Sequence, residues 1–207
     1  MEFREVVRRR RMVRRFDPDR PVDREAVVRA LQTAIHAPSA GFTQGWDFVV
    51  LDTPEQRRRF WAATADREQD SWMRGVSAAP VLIVCCSSPE AYLDRYAEPD
   101  KGWTDRDLRR WPIPYWDVDT GMAALLVLLT AVDEGLGALF FGVPAPSHGA
   151  VRRALGIPSS HRLVGVIALG HEAKRVTSPS LQRGRRGVDD VVHWGSFGES
   201  APGPDGA

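Results

Sequence analysis

The chain has 207 residues, with 28 basic and 27 acidic side chains and a formal net charge of +1 at pH 7. This length is that of one domain, or of one domain with arms, and it suffices to bury a sizeable core. The balance of charge argues against a generally basic, nucleic-acid-binding surface. The longest apolar run, residues 122–132 with only Thr130 interrupting it, is shorter than the roughly 18 to 20 residues of a membrane span. We therefore expect neither nucleic acid nor a membrane as a partner.

Positive charge is nevertheless concentrated at one place, because six arginines fall within residues 8–15. Such a run is typical of a solvated helix face or a polybasic tail, and short basic runs also occur in nucleic-acid-binding proteins. Against a loose tail stand apolar residues that can pack one side of a short N-terminal helix, namely Phe3, Val6, Val7, Met12 and Val13. A helix end that presents arginines beside free backbone N–H groups can bind a phosphate. The run thus suggests a site for one anionic ligand.

The first half of the chain alternates between helical and strand patterns. An apolar stripe over residues 23–37 predicts a helix that Pro38 ends. A short strand is predicted at residues 48–51, and Pro54 opens a helix that runs through Trp61. This order is typical of a domain that mixes helices and strands.

Residues 79–86 form the second predicted strand, which is buried and ends in Cys85 and Cys86. These cysteines are expected to be small apolar fillers. A disulfide between them is not expected, because neighbouring residues of a strand point to opposite faces. No apolar signal-peptide core precedes the arginines, so the expected compartment is the reducing cytoplasm.

An irregular stretch is predicted from there to Trp116, followed by a long apolar helix over residues 121–134 with Asp119 or Thr120 as its cap. The remaining predicted elements are two strands and the helix between them, at residues 138–141, 163–169 and 147–155. Since no Gly-x-Gly-x-x-Gly turn is present, a doubly wound dinucleotide fold is not indicated. The pattern predicts an α+β fold in which helices wrap a sheet.

Towards the C-terminus the chain leaves this pattern. Residues 177–187 are rich in Arg, Ser and Gly and are predicted to be extended, whereas residues 191–194 are mainly apolar. An extended segment that ends in apolar residues is expected to dock on something, for which a second subunit is one candidate. We assign residues 1–198 to a single domain, with an arm at 171–198, and residues 199–207 to a disordered tail.

Sequence patterns of metal and hydrolase chemistry are absent. The five histidines show no spacing or carboxylate pairing suited to zinc, and no Gly-x-Ser-x-Gly elbow marks a serine hydrolase. We therefore expect no metal and no catalytic side chain, so that in an enzyme a cofactor would supply the reactivity.

Several separated segments become informative together. They are residues 10–18 (Arg-Arg-Met-Val-Arg-Arg-Phe-Asp-Pro), 37–50, 121–124, 134–143, 155–158 and 167–170. In this order, and over nearly the whole chain, they resemble the nitroreductase family of FMN-dependent oxidoreductases. The resemblance implies a mainly antiparallel central sheet wrapped by helices, and a homodimer with FMN at the subunit interface. It also implies that the C-terminal arm is exchanged between the subunits.

The resemblance further implies which residues contact the cofactor. Arg10 and Arg11 match phosphate positions, and Arg14 matches a basic residue facing the flavin pyrimidine, where a cation would stabilise the negative charge of reduced flavin. Met12 stands where relatives carry a small polar residue, so one side-chain contact would be missing. Three further groups complete the implied set: Pro38, Ser39, Ala40 and Gly41 in a turn along the flavin; Phe141, Gly142 and Val143, whose backbone approaches N5; and Arg183, Arg185 and Arg186 as candidates for a second phosphate clamp.

Residues 92–116 are the least family-like part of the chain and hold all three tyrosines and three of the tryptophans. Such an aromatic segment can form a lid that stacks on a planar substrate or on nicotinamide. It can equally cover an edge of the core or of a dimer interface. The candidate substrate contacts are Trp103, Trp111, Tyr115 and Trp116.

The reaction that the resemblance implies is electron transfer from NADH or NADPH, by way of FMN, to a nitroaromatic, a quinone or a similar electron-poor acceptor. The two half-reactions would follow a ping-pong mechanism. Two alternatives keep the same fold. One is a flavin-fragmenting or substrate-dehydrogenating enzyme, and the other is a non-catalytic flavin-binding protein.

Overall fold

A computed structural model of the chain describes residues 1–64, 71–173, 175 and 177–201. The elements within these residues, in chain order, are α1 (Phe3–Arg9), α2 (Arg24–Ala34), β1 (Trp46–Leu51), α3 (Pro54–Ala62), α4 (Ser71–Ser77), β2 (Val81–Ser87), α5 (Pro89–Ala97), α6 (Tyr115–Asp133), β3 (Gly137–Phe141), α7 (His148–Leu155) and β4 (Arg162–Gly170). Short 3-10 turns at Ala40–Phe42, Leu108–Arg110, Ala145–Ser147 and Pro179–Arg183 connect or follow them.

The four strands form one sheet in the order β1-β2-β4-β3, and every neighbouring pair is antiparallel. All seven residues of β2 are buried because this strand is central and covered on both faces. Alternation along β2 sends Ile83 and Cys85 into one core cluster, and Leu82, Val84 and Cys86 into the other. The predicted α+β fold with a mainly antiparallel sheet wrapped by helices is therefore confirmed.

The two faces of the sheet are covered by different helices. Small residues of α2 and α6 pack on the first face, where Ala34 and Ala123 are fully buried. Phe60 of α3, Val76 of α4 and Val151 of α7 are fully buried on the second face. Both cysteines are free and buried, as the strand pattern predicted.

The long helix α6 is the core element that deviates most from the sequence prediction. It begins at Tyr115 rather than at residue 121, and Asp119 and Thr120 lie inside it instead of capping it. Their side chains are buried and have other partners: the Asp119 carboxylate accepts two hydrogen bonds, and the Thr120 hydroxyl donates to the carbonyl oxygen of Trp116. The predicted cap is wrong because Asp119 makes tertiary contacts and Thr120 bonds back to the preceding turn of the same helix.

Among the described residues, α6 is the one helix with the length and hydropathy of a membrane-spanning segment, a property that core helices of soluble proteins share. In this chain α6 contacts α2 and all four strands. Its apolar character is thus accounted for by packing within the fold.

Two helices occur where none was predicted. The stretch predicted as irregular begins with α5, in which Ser88 is the N-cap and accepts from the backbone N–H of Ala91, with Pro89 in the first turn. Helix α4 is the second, and its Gly75 lies so close to residue 14 that a Cβ there would be 2.2 Å from the Arg14 carbonyl oxygen. Helix α2 also ends three residues earlier than the pattern predicted, at Ala34.

The arginine-rich run is helical only at its beginning. Helix α1 ends at Arg9, and Arg10 already has extended backbone angles (φ −56°, ψ 123°). Met12 and Val13 are therefore not part of the helix, contrary to the prediction. The remaining arginines follow the C-terminal end of α1, so free N–H groups of a helix N-terminus do not accompany them.

The chain divides into two compact units, Met1–Arg175 and Val176–Ala207. In the second unit, Pro179–Arg183 form a 3-10 turn, so the prediction that residues 177–187 are extended throughout is wrong. Residues 202–207 of the predicted disordered tail lie outside the described residues. The single domain, its arm and the exchange of that arm in a dimer stay predictions.

Candidate cofactor site

The segment that follows α1 is held against the edge strand β3. Met12 forms an isolated parallel bridge with Ala138, and the N–H of Val13 donates to the Ala138 carbonyl oxygen over 2.9 Å. The thioether sulfur of Met12 accepts from the N–H of Phe140 at 3.5 Å. Because the pairing is parallel, Arg14 runs beside the end of β3, whereas Arg10 lies towards its beginning.

Arg10 carries the clearest sign of a missing partner. Its terminal nitrogen Nη1 is buried, and the described residues offer it no hydrogen-bond acceptor. A buried, unpaired guanidinium nitrogen costs free energy unless an acceptor reaches it. Arg10 therefore has the properties expected of an anion contact.

Arg11 faces different surroundings. Its guanidinium forms an ion pair with the carboxylate of Glu172. Together with Val13 it lines a cavity of about 380 Å³, to which Arg9 and Arg20 also contribute. Arg10 and Arg11 were predicted to share one phosphate; the structure gives them separate environments, and the assignment of Arg11 stays a prediction.

Arg14 is half-buried and its Nη1 donates to the Met12 carbonyl oxygen at 3.2 Å. This contact orients the guanidinium along the extended segment. An extended chain rises about 3.3 Å per residue, so four residues of it span at most about 13 Å. The segment thus carries two partly buried cations four residues apart.

The turn predicted to lie along the flavin has an unusual backbone. Gly41, Phe42 and Gln44 all have positive φ angles of 64°, 55° and 55°. For side chains other than glycine this conformation costs roughly 1 to 3 kcal/mol, and it persists only where surrounding contacts impose it. Within the turn, the Ser39 hydroxyl oxygen accepts from the Gln44 N–H at 2.9 Å, while Pro38 is exposed.

Contacts from α5 and α6 impose this conformation. The N–H of Ala40 donates to Asp119 Oδ2 at 2.8 Å, and the carbonyl oxygen of Gly41 accepts from Arg95 Nε at 2.9 Å. The ring of Tyr96 lies so close to Gly41 that a Cβ there would be 2.8 Å from a ring carbon. Glycine is therefore required at position 41 by both its φ angle and its neighbour.

The segment after β3 rests on an aromatic cluster. The ring of Phe141 stacks on Trp61 with centroids 5.7 Å apart and planes 7° apart, and it meets Phe60 edge-on at 6.5 Å. Apart from its two chain neighbours, no described residue has an atom within 4 Å of the position that a Cβ on Gly142 would take. The Val143 carbonyl oxygen lies 3.0 Å from His148 Nε2. An anchored side chain is thus followed by an open stretch of backbone that a ligand can approach.

The aromatic residues of 92–116 pack mainly on one another. Trp111 lies at the centre, with ring centroids 4.6 Å from Tyr96, 5.5 Å from Trp103 and 5.7 Å from Trp116. Trp111 and Trp116 are buried, Trp103 is half-buried and Tyr115 is 43% exposed. For Trp111 and Trp116 this packing favours the structural cover over a lid, whereas Trp103 and Tyr115 keep accessible ring surface. Their contact with a substrate stays a prediction.

The three C-terminal arginines lie in the second unit. Arg183 ends the 3-10 turn, and Arg186 donates to the backbone carbonyl oxygen of Asp190. Arg185 is exposed, like its neighbours. Their assignment as a phosphate clamp stays a prediction. In the described part of the chain, no group of three or more His, Cys, Asp or Glu residues is arranged to hold a metal ion.

Comparison with known proteins identifies the family. The family model described as Nitroreductase family matches residues 7–171, which include the arginine segment, the strained turn and the whole sheet. The chain belongs to the nitroreductase family. This family consists of oxidoreductases, and its members share the fold described above.

Individual nitroreductase relatives cover nearly the full chain. An NADH dehydrogenase of Thermus thermophilus is 29% identical over 204 residues, covering 90% of this chain and 92% of the relative. An FMN-dependent nitroreductase of Clostridium difficile R20291 superposes with a TM-score of 0.67 at 20% identity, over 93% of this chain and 98% of that chain. A nitroreductase structure from Exiguobacterium sibiricum, solved in complex with FMN, superposes with a TM-score of 0.70 at 19% identity. The superposition covers 94% of this chain and 97% of that chain. At these identities the two structures show likeness of fold.

Two observations on this nitroreductase-family chain are compatible with FMN as a ligand. The buried Nη1 of Arg10 awaits an acceptor, which a phosphate oxygen would supply. The open space at Gly142 would admit the edge of a flat ring. Ser39 and Met12 fit less directly, because their polar atoms already have backbone partners.

Sequence reasoning missed Asp119 and Tyr92, which support the turn from α6 and α5. Asp119 was assigned as a helix cap, and Tyr92 was grouped with the aromatic segment. One signal for α5 was present, because Ser88-Pro89-Glu90 has a capping residue followed by proline and an acidic residue. No local pattern indicated that both side chains meet the turn.

Proposed function

We propose that this nitroreductase-family chain is an FMN-dependent oxidoreductase that transfers electrons from NADH or NADPH to nitroaromatic, quinone or similar acceptors in two half-reactions. The guanidinium nitrogen Nη1 of Arg10 carries the proposal, because within the described ranges it is the one buried charged side-chain nitrogen without a hydrogen-bond partner. Two of the relatives agree with it by name, since one is an NADH dehydrogenase and the other an FMN-dependent nitroreductase.

The chain's own residues would anchor and tune the cofactor. Arg10 would bind the phosphate, and Arg14, four residues further along the segment, would face the pyrimidine ring. FMN, when bound, would accept a hydride from the nicotinamide and pass electrons to the acceptor. A fixed guanidinium at position 14 would favour the reduced, negatively charged form of the flavin.

The backbone would complete the site. The turn at residues 38–41 would lie along the ring, and the N–H groups of residues 141–143 would approach N5. Because Phe141 is stacked on Trp61, the open backbone at Gly142 is held in place without the ligand. Preorganised groups of this kind need no rearrangement during the reaction.

We also propose a homodimer in the cytoplasm, with the C-terminal arm exchanged between subunits. Exposed apolar side chains support this, because α6 presents a stripe at Tyr115, Val118 and Leu125. The arm exposes further apolar residues, among them Leu181 and Trp194. Apolar surface of this kind is a feature of subunit interfaces. The two free, buried cysteines agree with a reducing compartment.

The test is the absorbance spectrum of the purified full chain, followed by anaerobic titration with NADH and NADPH. We expect bound FMN, bleaching of its absorbance by at least one nicotinamide, and reoxidation by a quinone or nitroaromatic compound. Protein that remains colourless after incubation with FMN would refute the proposal. FMN that no nicotinamide reduces would indicate a binding protein, and oxygen-dependent loss of the flavin spectrum would indicate a flavin-fragmenting enzyme.

A further inference from the structure

A buried hydrogen-bond network joins the turn at residues 38–41 to the aromatic cluster. Asp119 Oδ2 accepts from the N–H of Ala40 at 2.8 Å and from the hydroxyl of Tyr92 at 2.7 Å. Asp119 is 1% exposed and Tyr92 is fully buried. Burial and the hydrogen bond to Asp119 both raise the pKa of Tyr92, so its hydroxyl remains a donor.

The chemistry of this network is demanding. A buried carboxylate is stable only when donors satisfy it. Among the described residues, no basic side chain forms an ion pair with Asp119, so its recorded partners are the two neutral donors. Burying the carboxyl group of Asp119 costs free energy, whereas an apolar residue would fill the same volume without that cost. We therefore expect Asp119 to do more than fill space in the core.

The network acts on a strained segment. Ala40 immediately precedes the left-handed residues Gly41 and Phe42, and the ring of Tyr92 also packs against Gly45. Left-handed conformations at non-glycine residues require contacts that impose them. The bond from Ala40 to Asp119 fixes the start of the strained stretch, and Tyr92 fixes its end.

We propose that Asp119 is a positioning residue, which together with Tyr92 holds the turn at residues 38–41 in the geometry that receives the flavin. Asp119 acts through the backbone of Ala40 and does not itself contact the cofactor. This inference adds the residues that organise the turn, and its consequence for the flavin rests on the proposed function.

The chain provides a matched control pair on the same helix. Asp117, two residues before Asp119, accepts from the buried hydroxyl of Ser87 at 2.6 Å and pairs with Arg162. Like Tyr92 and Asp119, Ser87 and Asp117 join a buried hydroxyl to a carboxylate of α6, although Asp117 also has a basic partner and is less buried. Asp117 makes no hydrogen bond or ion pair with the turn among the described residues. Variants of Asp117 therefore report general effects of losing such a bond on α6.

The experiment uses the full chain in four variants, Asp119→Ala, Asp119→Asn, Tyr92→Phe and Asp117→Ala. Hydrogen exchange of the backbone amides of residues 39–45 is measured without FMN, and FMN affinity is measured by quenching of its fluorescence. We expect Asp119→Ala to accelerate exchange of the Ala40 amide by about tenfold and to weaken FMN binding by a similar factor. Asp119→Asn keeps an acceptor oxygen and should restore both properties to within about threefold.

Asp117→Ala should leave exchange of the turn unchanged, whereas Tyr92→Phe should accelerate it. If Asp119→Ala fails to fold, Tyr92→Phe and Asp119→Asn still test whether Asp119 and Tyr92 hold the turn, because these two substitutions preserve side-chain volume. Unchanged exchange of the Ala40 amide in Asp119→Ala, or in Tyr92→Phe where the alanine variant does not fold, overturns the inference. Equal acceleration in Asp117→Ala, or no rescue by asparagine, also overturns it.

The two proposals fail differently. A wild-type chain that binds no FMN refutes the proposed function, while exchange in the FMN-free chain still reports whether Asp119 holds the turn. Accelerated exchange with unchanged FMN affinity refutes the role of the network in the flavin site and leaves the proposed function intact.

Discussion

Arg10 and Arg11 are adjacent in the chain, yet only Arg11 has a carboxylate partner. Arg11 pairs with Glu172, whereas the buried Nη1 of Arg10 has no acceptor among the described residues. An extended backbone sends consecutive side chains to opposite sides, which explains the difference. The two arginines therefore contribute unequally to any anion site on this segment.

Substitution of the two arginines should separate their roles. We expect Arg10→Ala to weaken FMN binding by about 10- to 100-fold, since hydrogen bonds to charged groups contribute roughly 1.5 to 3 kcal/mol. Arg11→Ala should have a smaller effect, because its guanidinium is already paired. Arg8→Ala is the control, since that side chain is 80% exposed. Fluorescence titration with FMN measures all three, and a larger effect at Arg11 than at Arg10 would reverse the assignment.

Substitution of Arg14 should change the reduction potential of bound FMN more than it changes the affinity of the chain for FMN. Loss of the cation in Arg14→Gln is expected to lower the potential by about 30 mV, which for a two-electron couple corresponds to about 1.4 kcal/mol. Arg14→Lys keeps the charge and should shift the potential less. Equilibration with a reference dye measures the potential, and Arg15→Gln, whose side chain is exposed, serves as the control. An unchanged potential in Arg14→Gln with FMN still bound would contradict the role of Arg14.

The strands of the sheet were predictable because the sequence of each strand contains a short apolar run. The apolar run of β2 indicated a strand buried on both faces, and the structure buries every one of its residues. The N-terminus of α6 was not predictable in the same way. Asp119 and Thr120 resemble capping residues locally, but inside the helix Asp119 bonds tertiary partners and Thr120 bonds the carbonyl oxygen of Trp116 one turn earlier.

The candidate site was predictable only in part, for a related reason. Arg10 and Gly142 were assigned to the cofactor site because they match segments of the nitroreductase family in order along the chain. Such a match gives a residue's position in the sequence but not its surroundings in the fold. The different environments of Arg10 and Arg11 depend on the bridge between Met12 and Ala138, a contact across 126 positions of sequence. Pairing at such separation leaves no local signal in one sequence.

Trp111 should be a stability residue, in contrast to Trp103. Trp111→Ala is expected to lower the free energy of unfolding by about 3 to 5 kcal/mol, because the buried ring packs against several others. Trp103→Ala should cost less, since that ring is half-buried at the edge of the cluster. Urea unfolding measures both. If Trp103 belongs to a lid, its variant should also raise KM for aromatic acceptors at unchanged FMN content, whereas an unchanged KM would favour the structural cover.

The two buried thiols should make the chain less stable at high pH. Burial raises the pKa of Cys86 from its ordinary 9.0 to about 12, and it raises that of Cys85 further. Unfolded thiols ionise near pH 9 while folded ones keep their protons, so this stabilisation is fully present below pH 9 and is lost as pH rises towards 12. Each thiol should contribute a slope of about 1.4 kcal/mol per pH unit in that window.

Urea unfolding of the wild type and of Cys85→Ala/Cys86→Ala at pH 8, 9 and 10 isolates this contribution. We expect the free energy of unfolding to fall more steeply with pH in the wild type than in the double variant. Any constant difference from the lost sulfur atoms cancels in the slopes. Parallel slopes would mean that the thiols ionise equally in the folded and unfolded chain.

Substitution of Gly142 by alanine should weaken FMN binding without lowering the free energy of unfolding. Apart from the two chain neighbours, no described residue would contact an added Cβ, and Gly142 does not have a positive φ angle. Gly142→Ala should therefore leave the free energy of unfolding unchanged or raise it by about 0.4 to 1 kcal/mol. If the flavin edge occupies that space, the same methyl group should weaken FMN binding by about tenfold or more. Gly149→Ala in α7, where the added atom would meet only the flexible end of Arg153, should leave FMN affinity unaltered. Equal FMN affinity in Gly142→Ala and the wild type would mean that the backbone of residues 141–143 does not approach the flavin.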